Sequence, residues 1–194
     1  MLRRTLIAGV IALFGLPAFA APLPYTLGSD GATISYTFTV GGEKMVGTVP
    51  IASAALTIDA TNLSASTAEV TADVRRARTG LIFATEALKS NSILAANDFP
   101  EARFQSTRVF LGNSGRIDDG AALEGLLTLR GVTRPVRFEA QMFRQPGTAA
   151  GDLRALNVLL RGSVNRRDFG ADGYSELVDD TVQIEIKAHI ETES

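Results

Sequence analysis

Stretches of the chain alternate apolar and polar residues with a period of two. From Thr33 to Val40, Ile34, Tyr36, Phe38 and Val40 fall on one face and Thr33, Ser35, Thr37 and Thr39 on the other. A strand points successive side chains to opposite faces, so this pattern predicts a strand with one buried and one wet side. The same period recurs in Ala54–Asp59, in Ala68–Val74 and in Arg134–Phe143, where Val136, Phe138, Ala140 and Met142 share a face. It recurs again in Arg154–Val164 and in Thr181–Ile190. Gly41-Gly42 fits a tight hairpin turn between Val40 and Glu43. Asn113-Ser114-Gly115 and Asp118-Asp119-Gly120 punctuate the middle, and Gln145 to Asp152 reads as a loop. Gly131 to Pro135 reads as a link between two strands, with Pro135 at a strand start where a missing N–H is tolerated. Only Leu81 to Ala96 looks helical, as one or two short helices lying over the sheet, with Thr79 or Thr85 as a cap.

These elements predict an all-β fold, a sandwich or barrel of seven or eight strands. A barrel of about eight strands is filled by its own side chains or holds one small ligand. Alternation alone does not separate the two.

The first residues read differently. Met1-Leu2-Arg3-Arg4 is basic, Leu6 to Phe14 is apolar, and Ala18-Phe19-Ala20 has the small-x-small form of a cleavage site. This predicts a secretory signal over residues 1–20, leaving 21–194 as one domain. A membrane span is disfavoured, because Pro17 interrupts a stretch already at the short end for crossing a bilayer.

Composition narrows the function classes. The 194 residues carry 19 basic and 21 acidic side chains, a net charge of −2, so no charge excess drives nucleic-acid binding. The absence of cysteine removes disulfides, thiolate metal sites and a cysteine nucleophile, and one histidine argues against a His-rich metal centre. His189 falls on the polar face of the last strand, outside any triad motif, and Asp118-Asp119 and Asp179-Asp180 read as solvated turn residues. The sequence therefore predicts no enzyme, no metal and no cofactor.

Four segments in order resemble the YceI-like polyisoprenoid-binding family. Phe99-Pro100-Glu101-Ala102-Arg103-Phe104-Gln105-Ser106 is similar to the family's aromatic-Pro-x-x-x-Phe-x-Ser segment. Leu127-Thr128-Leu129-Arg130-Gly131-Val132-Thr133-Arg134-Pro135-Val136 resembles its L-T-L-[HR]-G-V-T-[KR]-P-V strand. Asn165-Arg166-Arg167-Asp168-Phe169-Gly170 is similar to its N-R-x-D-F-G loop, and Asp180 to Glu191 to its closing strand. The resemblance runs from Pro24 to about Glu191. It implies a lipocalin-like antiparallel barrel with a helical cap, exported to the bacterial periplasm, holding a long isoprenoid or similar amphiphile in an apolar tunnel without chemistry. It also implies pairing of two copies as a possible state. The chain departs from the family where Gly28 to Ala32 and Thr39 to Gly42 lack two customary histidines, so no head-group role of those histidines transfers.

On this reading the tunnel wall consists of Tyr36, Phe38, Val70, Val74, Phe104, Phe138, Met142, Leu156, Val158 and Ile184, with Phe83 and Leu88 as a lid. Each of these packs a core equally well. Tyr36 is the most informative, because its hydroxyl needs a partner, either a ligand head or a neighbouring backbone group. Arg166, Arg167 and Arg76 are candidates for an anionic head group. The competing reading of the first two is an Arg–Asp pair and an Asn turn that lock their loop, and that of Arg76, with Arg75 and Arg78, a solvated strand end. Two functions follow: a non-catalytic lipid carrier, or a structural envelope protein whose barrel is filled by its own side chains.

Overall fold

The structure is a computed structural model and describes residues 22–59, 62–112, 120–149 and 152–193. The signal segment and the turns at 113–119 lie outside the described residues. The strands are β1 (Leu23–Val40), β2 (Glu43–Ile58), β3 (Thr67–Asp73), β4 (Arg78–Thr79), β5 (Glu101–Phe110), β6 (Ala121–Leu129), β7 (Val132–Arg144), β8 (Ala155–Asn165) and β9 (Thr181–Thr192). Among the described residues one α-helix, α1 (Ile82–Lys89), interrupts them. All pairings are antiparallel, in the order β1-β9-β8-β7-β6-β5-β3-β2, and β1 pairs with β2 to close the ring. Eight strands thus form a barrel, while β4 adds two residues to the edge of β2 and Val40 makes an isolated bridge to Val178. This is a lipocalin-like antiparallel barrel.

Turn chemistry sets the ends. Gly41 and Gly42 both take positive φ, which closes the β1–β2 hairpin in two residues. The β6–β7 turn is equally tight: Leu129 pairs with Val132, and Arg130 and Gly131 both lie in the left-handed region. The strand therefore begins at Val132, earlier than the Gly131–Pro135 link suggested. Pro135 is accepted inside the strand because β7 meets β8 only from Phe138 onward, so the edge beside the proline is free. The left-handed Arg130 is held by its own guanidinium, which donates to the carbonyls of Gly170 and Asn91.

The expected helical stretch folds as a two-turn helix, α1, followed by turns from Asn91 to Asp98. Thr79 and Thr85 shape its start without capping it in the usual sense. Thr85 Oγ1 accepts from the Thr79 N–H and donates to the Leu81 carbonyl, which ties α1 to β4. The hairpin, β4, α1 and the segment after β8 gather at one end of the barrel. Leu23, where β1 begins, pairs with Ile58 at the other.

Candidate ligand-binding cavity

Inward positions of the strands surround a cavity of about 760 Å³. The alternation read from the sequence places Tyr36 and Phe38 of β1 on its wall, with Val70 of β3 and Val74 just beyond it. Phe104 of β5, Phe138 and Met142 of β7, Val158 of β8 and Ile184 of β9 complete the expected set. Leu156 stands apart from the others. It is buried with Tyr25 and Ile190 in a cluster that forms the floor, and it does not line the cavity. The strand pattern gave it the right face, but the floor cluster lies below the lumen at that level. Tyr25 completes the floor by donating from its hydroxyl to the Leu153 carbonyl at 2.6 Å.

The barrel stays hollow although large rings point into it, because the rings lie flat against glycines. Tyr36 pairs directly with Gly47, and a Cβ on that glycine would collide with the Tyr36 ring. Phe138 pairs with Gly162, where a Cβ would stand 2.7 Å from Phe138 Cδ1. Phe104 covers Gly125, with a Cβ there 2.5 Å from its ring. A glycine in a strand admits close approach of a neighbour, here an aromatic face. Phe104 and Phe138 then meet edge to face at 5.7 Å, near the small side chains of Ala121 and Ala140. Small residues and flattened rings leave the lumen unfilled, against the alternative of a self-filled core.

The Tyr36 hydroxyl takes the backbone option. It donates to the Arg78 carbonyl at 2.8 Å, pinning β4 to the wall. Burial pushes its phenol well above the ordinary tyrosine value. Burial raises Tyr25 in the same way.

The mouth is framed by α1 and by the segment after β8. Phe83, Ala84, Ala87 and Leu88 of α1 border the cavity, Phe83 being almost wholly exposed. Across from them Ala171, Tyr174, Leu177 and Val178 border it too. That segment is built on Arg166. Its guanidinium is buried and donates to the carbonyls of Asp179, Ala171, Gly173 and Val178 at 2.5–3.0 Å, with Asp180 at 3.5 Å. Asn165 Oδ1 accepts from the Arg167 N–H, and Arg167 Nε donates to Asp180 Oδ1 at 2.6 Å. Arg166, expected at a head group, borders the cavity while its donors are used on the loop's own backbone. Arg167 is engaged by Asp180, whereas Arg76 is exposed and has no ion pair among the described residues.

Strand β2 and the 171–178 segment supply wall that periodicity missed, including Met45, Val49 and Ile51. Met45, Gly47, Val49 and Ile51 do alternate, but Gly47 and Pro50 conceal the run. The Ala171–Val178 contribution has no periodic signal, because Arg166 rather than a ladder positions it. His189 lies on the outer face, with Nδ1 3.0 Å from Asn157 Oδ1 and Nε2 3.2 Å from Glu191 Oε1.

A closed antiparallel barrel with an apolar lumen is a lipocalin-like fold. The chain belongs to the YceI-like domain family, whose model matches residues 25–190. A UPF0312 protein of Vibrio vulnificus is 28% identical over 144 residues, covering 72% of this chain and 74% of the relative. Among solved structures, BcnA of Burkholderia cenocepacia is similar with a TM-score of 0.72 at 17% identity, covering 86% of this chain and 99% of that one. A polyisoprenoid binding domain from Saccharophagus degradans is similar at 0.60 and 12% identity, covering 88% and 99%. At these identities the structural likeness speaks to the fold.

Proposed function

We propose that the protein is a non-catalytic carrier or reservoir for a long-chain isoprenoid or similar amphiphilic lipid, acting in the bacterial periplasm after export. The observation that carries this reading is the apolar cavity of about 760 Å³, open beside α1. A group of water size takes about 30 Å³, so the lumen accommodates roughly 25 such groups, or about five isoprene units. Each CH₂ leaving water gains about 0.8 kcal/mol, so each five-carbon unit gains roughly 3–4 kcal/mol. A floor cluster of buried Tyr25, Leu156 and Ile190 and a mouth beside α1 favour insertion of the tail first, with the head left at the rim. The Saccharophagus relative, described as a polyisoprenoid binding domain, supports the ligand class. Nothing in this reading calls for bond chemistry. The one histidine is outside the barrel, held between Asn157 and Glu191.

Organic extraction of protein purified without detergent, followed by mass spectrometry, tests the proposal. The expected extract contains an isoprenoid or comparable amphiphile near one per chain. A lipid-free extract, from protein that also fails to take up added polyprenol, overturns it.

A further inference from the structure

We propose that the open end of the barrel is a membrane-docking face, which seats on a bilayer containing anionic phospholipid so that the lumen opens into the hydrocarbon. This rests on the carrier reading above. The first observation is apolar surface that packing does not explain. A surface helix turns its apolar stripe toward the core. Helix α1 does so with Ala84, Ala87 and Leu88, which border the cavity. Its first turn also carries Ile82 and Phe83, which are 81% and 91% exposed, preceded by the exposed Leu81. Leu81 and Phe83 border the lumen as well, so apolar surface runs unbroken from the tunnel wall to the outer rim. Across the mouth Tyr174 and Leu177 do the same, each more than half exposed.

The second observation is charge beside this rim. Met45 and Val49 of β2 face the lumen, so alternation turns Lys44 and Val46 outward, and Val46 is 58% exposed. Arg78 on β4 pairs with Thr48, one outward position further along β2. Arg76 precedes it by two residues. Among the described residues Lys44, Arg76 and Arg78 have no ion-pair partner, whereas Arg75 is paired with Asp73. Acidic groups at this end include Glu43 in the hairpin, Asp73, paired with Arg75, Glu86, paired with Lys89, Asp98 after α1, and, across the mouth, Asp168, Asp172, Glu176, Asp179 and Asp180, the last paired with Arg166 and Arg167, so the unpaired cations lie on the β2–β4 side. Exposed large apolar residues beside unpaired cations are what lets a peripheral protein sit at the boundary of head groups and acyl chains. A bilayer also meets a need that a protein partner does not. It is itself the reservoir of a water-insoluble guest, and contact at the mouth spares that guest any passage through water.

The test is flotation of the full protein with vesicles of phosphatidylethanolamine and phosphatidylglycerol, and with phosphatidylethanolamine–phosphatidylcholine vesicles lacking the anionic lipid. Two variants avoid the cavity lining: Val46→Asp/Ile82→Asp and Lys44→Glu/Arg78→Glu. Polyprenol delivered in solvent is measured in parallel. Wild type is expected to float with the anionic vesicles, each variant to lose binding by about tenfold or more, and polyprenol uptake to stay at the wild-type level. Intact uptake with no flotation, or flotation that neither variant weakens, overturns docking while leaving the carrier reading in place. A wild-type dimer that Val46→Asp/Ile82→Asp converts to monomer, without vesicle binding, also overturns it and assigns the face to a second copy. Failure of wild type to take up polyprenol overturns the carrier reading, and docking with it.

Discussion

The hollow barrel depends on single hydrogen atoms at Gly47, Gly125 and Gly162. A methyl group at Gly162 would stand 2.7 Å from the Phe138 ring and 2.8 Å from the Arg137 carbonyl. The carbonyl belongs to a ladder and is fixed, so the ring must lift into the lumen. Gly162→Ala is expected to cost about 1–3 kcal/mol of stability and to lower polyprenol capacity, both read by denaturation and titration. Phe138→Leu in the same background should restore capacity. Equal binding by Gly162→Ala and wild type would show that the glycine does not hold the ring down. Tyr36 gives a second residue-scale outcome. Burial raises its pKa, so in the folded chain it keeps its proton above about pH 10, where an unfolded tyrosine loses it. The unfolded state then binds fewer protons, so stability is flat below about pH 10 and falls above it as pH rises toward the folded pKa. Tyr36→Phe should flatten part of that alkaline loss, Tyr25 retaining the rest, and should cost about 1 kcal/mol at neutral pH through the lost bond to Arg78. Urea denaturation across the alkaline range checks both.

At the scale of elements, what the sequence revealed and what it hid have separate causes. Strands with an unbroken period, such as Thr33–Val40 and Thr181–Ile190, were legible because one face lines the lumen along their length. The upper half of β2 was not, because Gly47 serves a ring on the neighbouring strand and Pro50 sits where β2 has no partner on its outer edge. Both facts belong to the pairing, not to the strand itself. The glycines under Phe104 and Phe138 were hidden for the same reason: they become partners only once register is known. The Asn165–Gly170 segment was legible as a motif, but its purpose was not. Arg166 resembles a phosphate ligand until its carbonyl partners, ranging from Ala171 to Asp179, are in place. Its consequence is specific. Arg166→Lys keeps the charge but has three donors without the planar fork, and is expected to cost at least about 3 kcal/mol by leaving buried carbonyls unpaired. Hydrogen exchange should quicken at Gly41, whose N–H bonds the Leu177 carbonyl, before it does in the strands. Uniform loss of protection across the barrel would instead show that the segment is not a separate unit.

For the whole molecule, the lumen sets the relation between ligand and stability. At about 24 cal/mol per Å³, a dry void of 760 Å³ extrapolates to about 18 kcal/mol, beyond the roughly 5–15 kcal/mol that holds a domain together. The empty barrel is therefore expected to admit water or draw inward, and a hydrocarbon guest reverses either change. The guest binds the closed barrel and not the unfolded chain, so at about 100 times its Kd it adds about 2.7 kcal/mol. In a chain of this size each kcal/mol moves Tm by about 2–4 °C, giving a rise of about 5–10 °C. Thermal melts of protein stripped by organic extraction and refolded, then reloaded with polyprenol, measure the difference. Farnesol, with three isoprene units, leaves part of the lumen unfilled and should raise Tm less than a chain of about five units, while a much longer chain should add little more, because the lumen of about 760 Å³ is then already filled. Identical melting of stripped and reloaded protein would mean the barrel is complete without a guest.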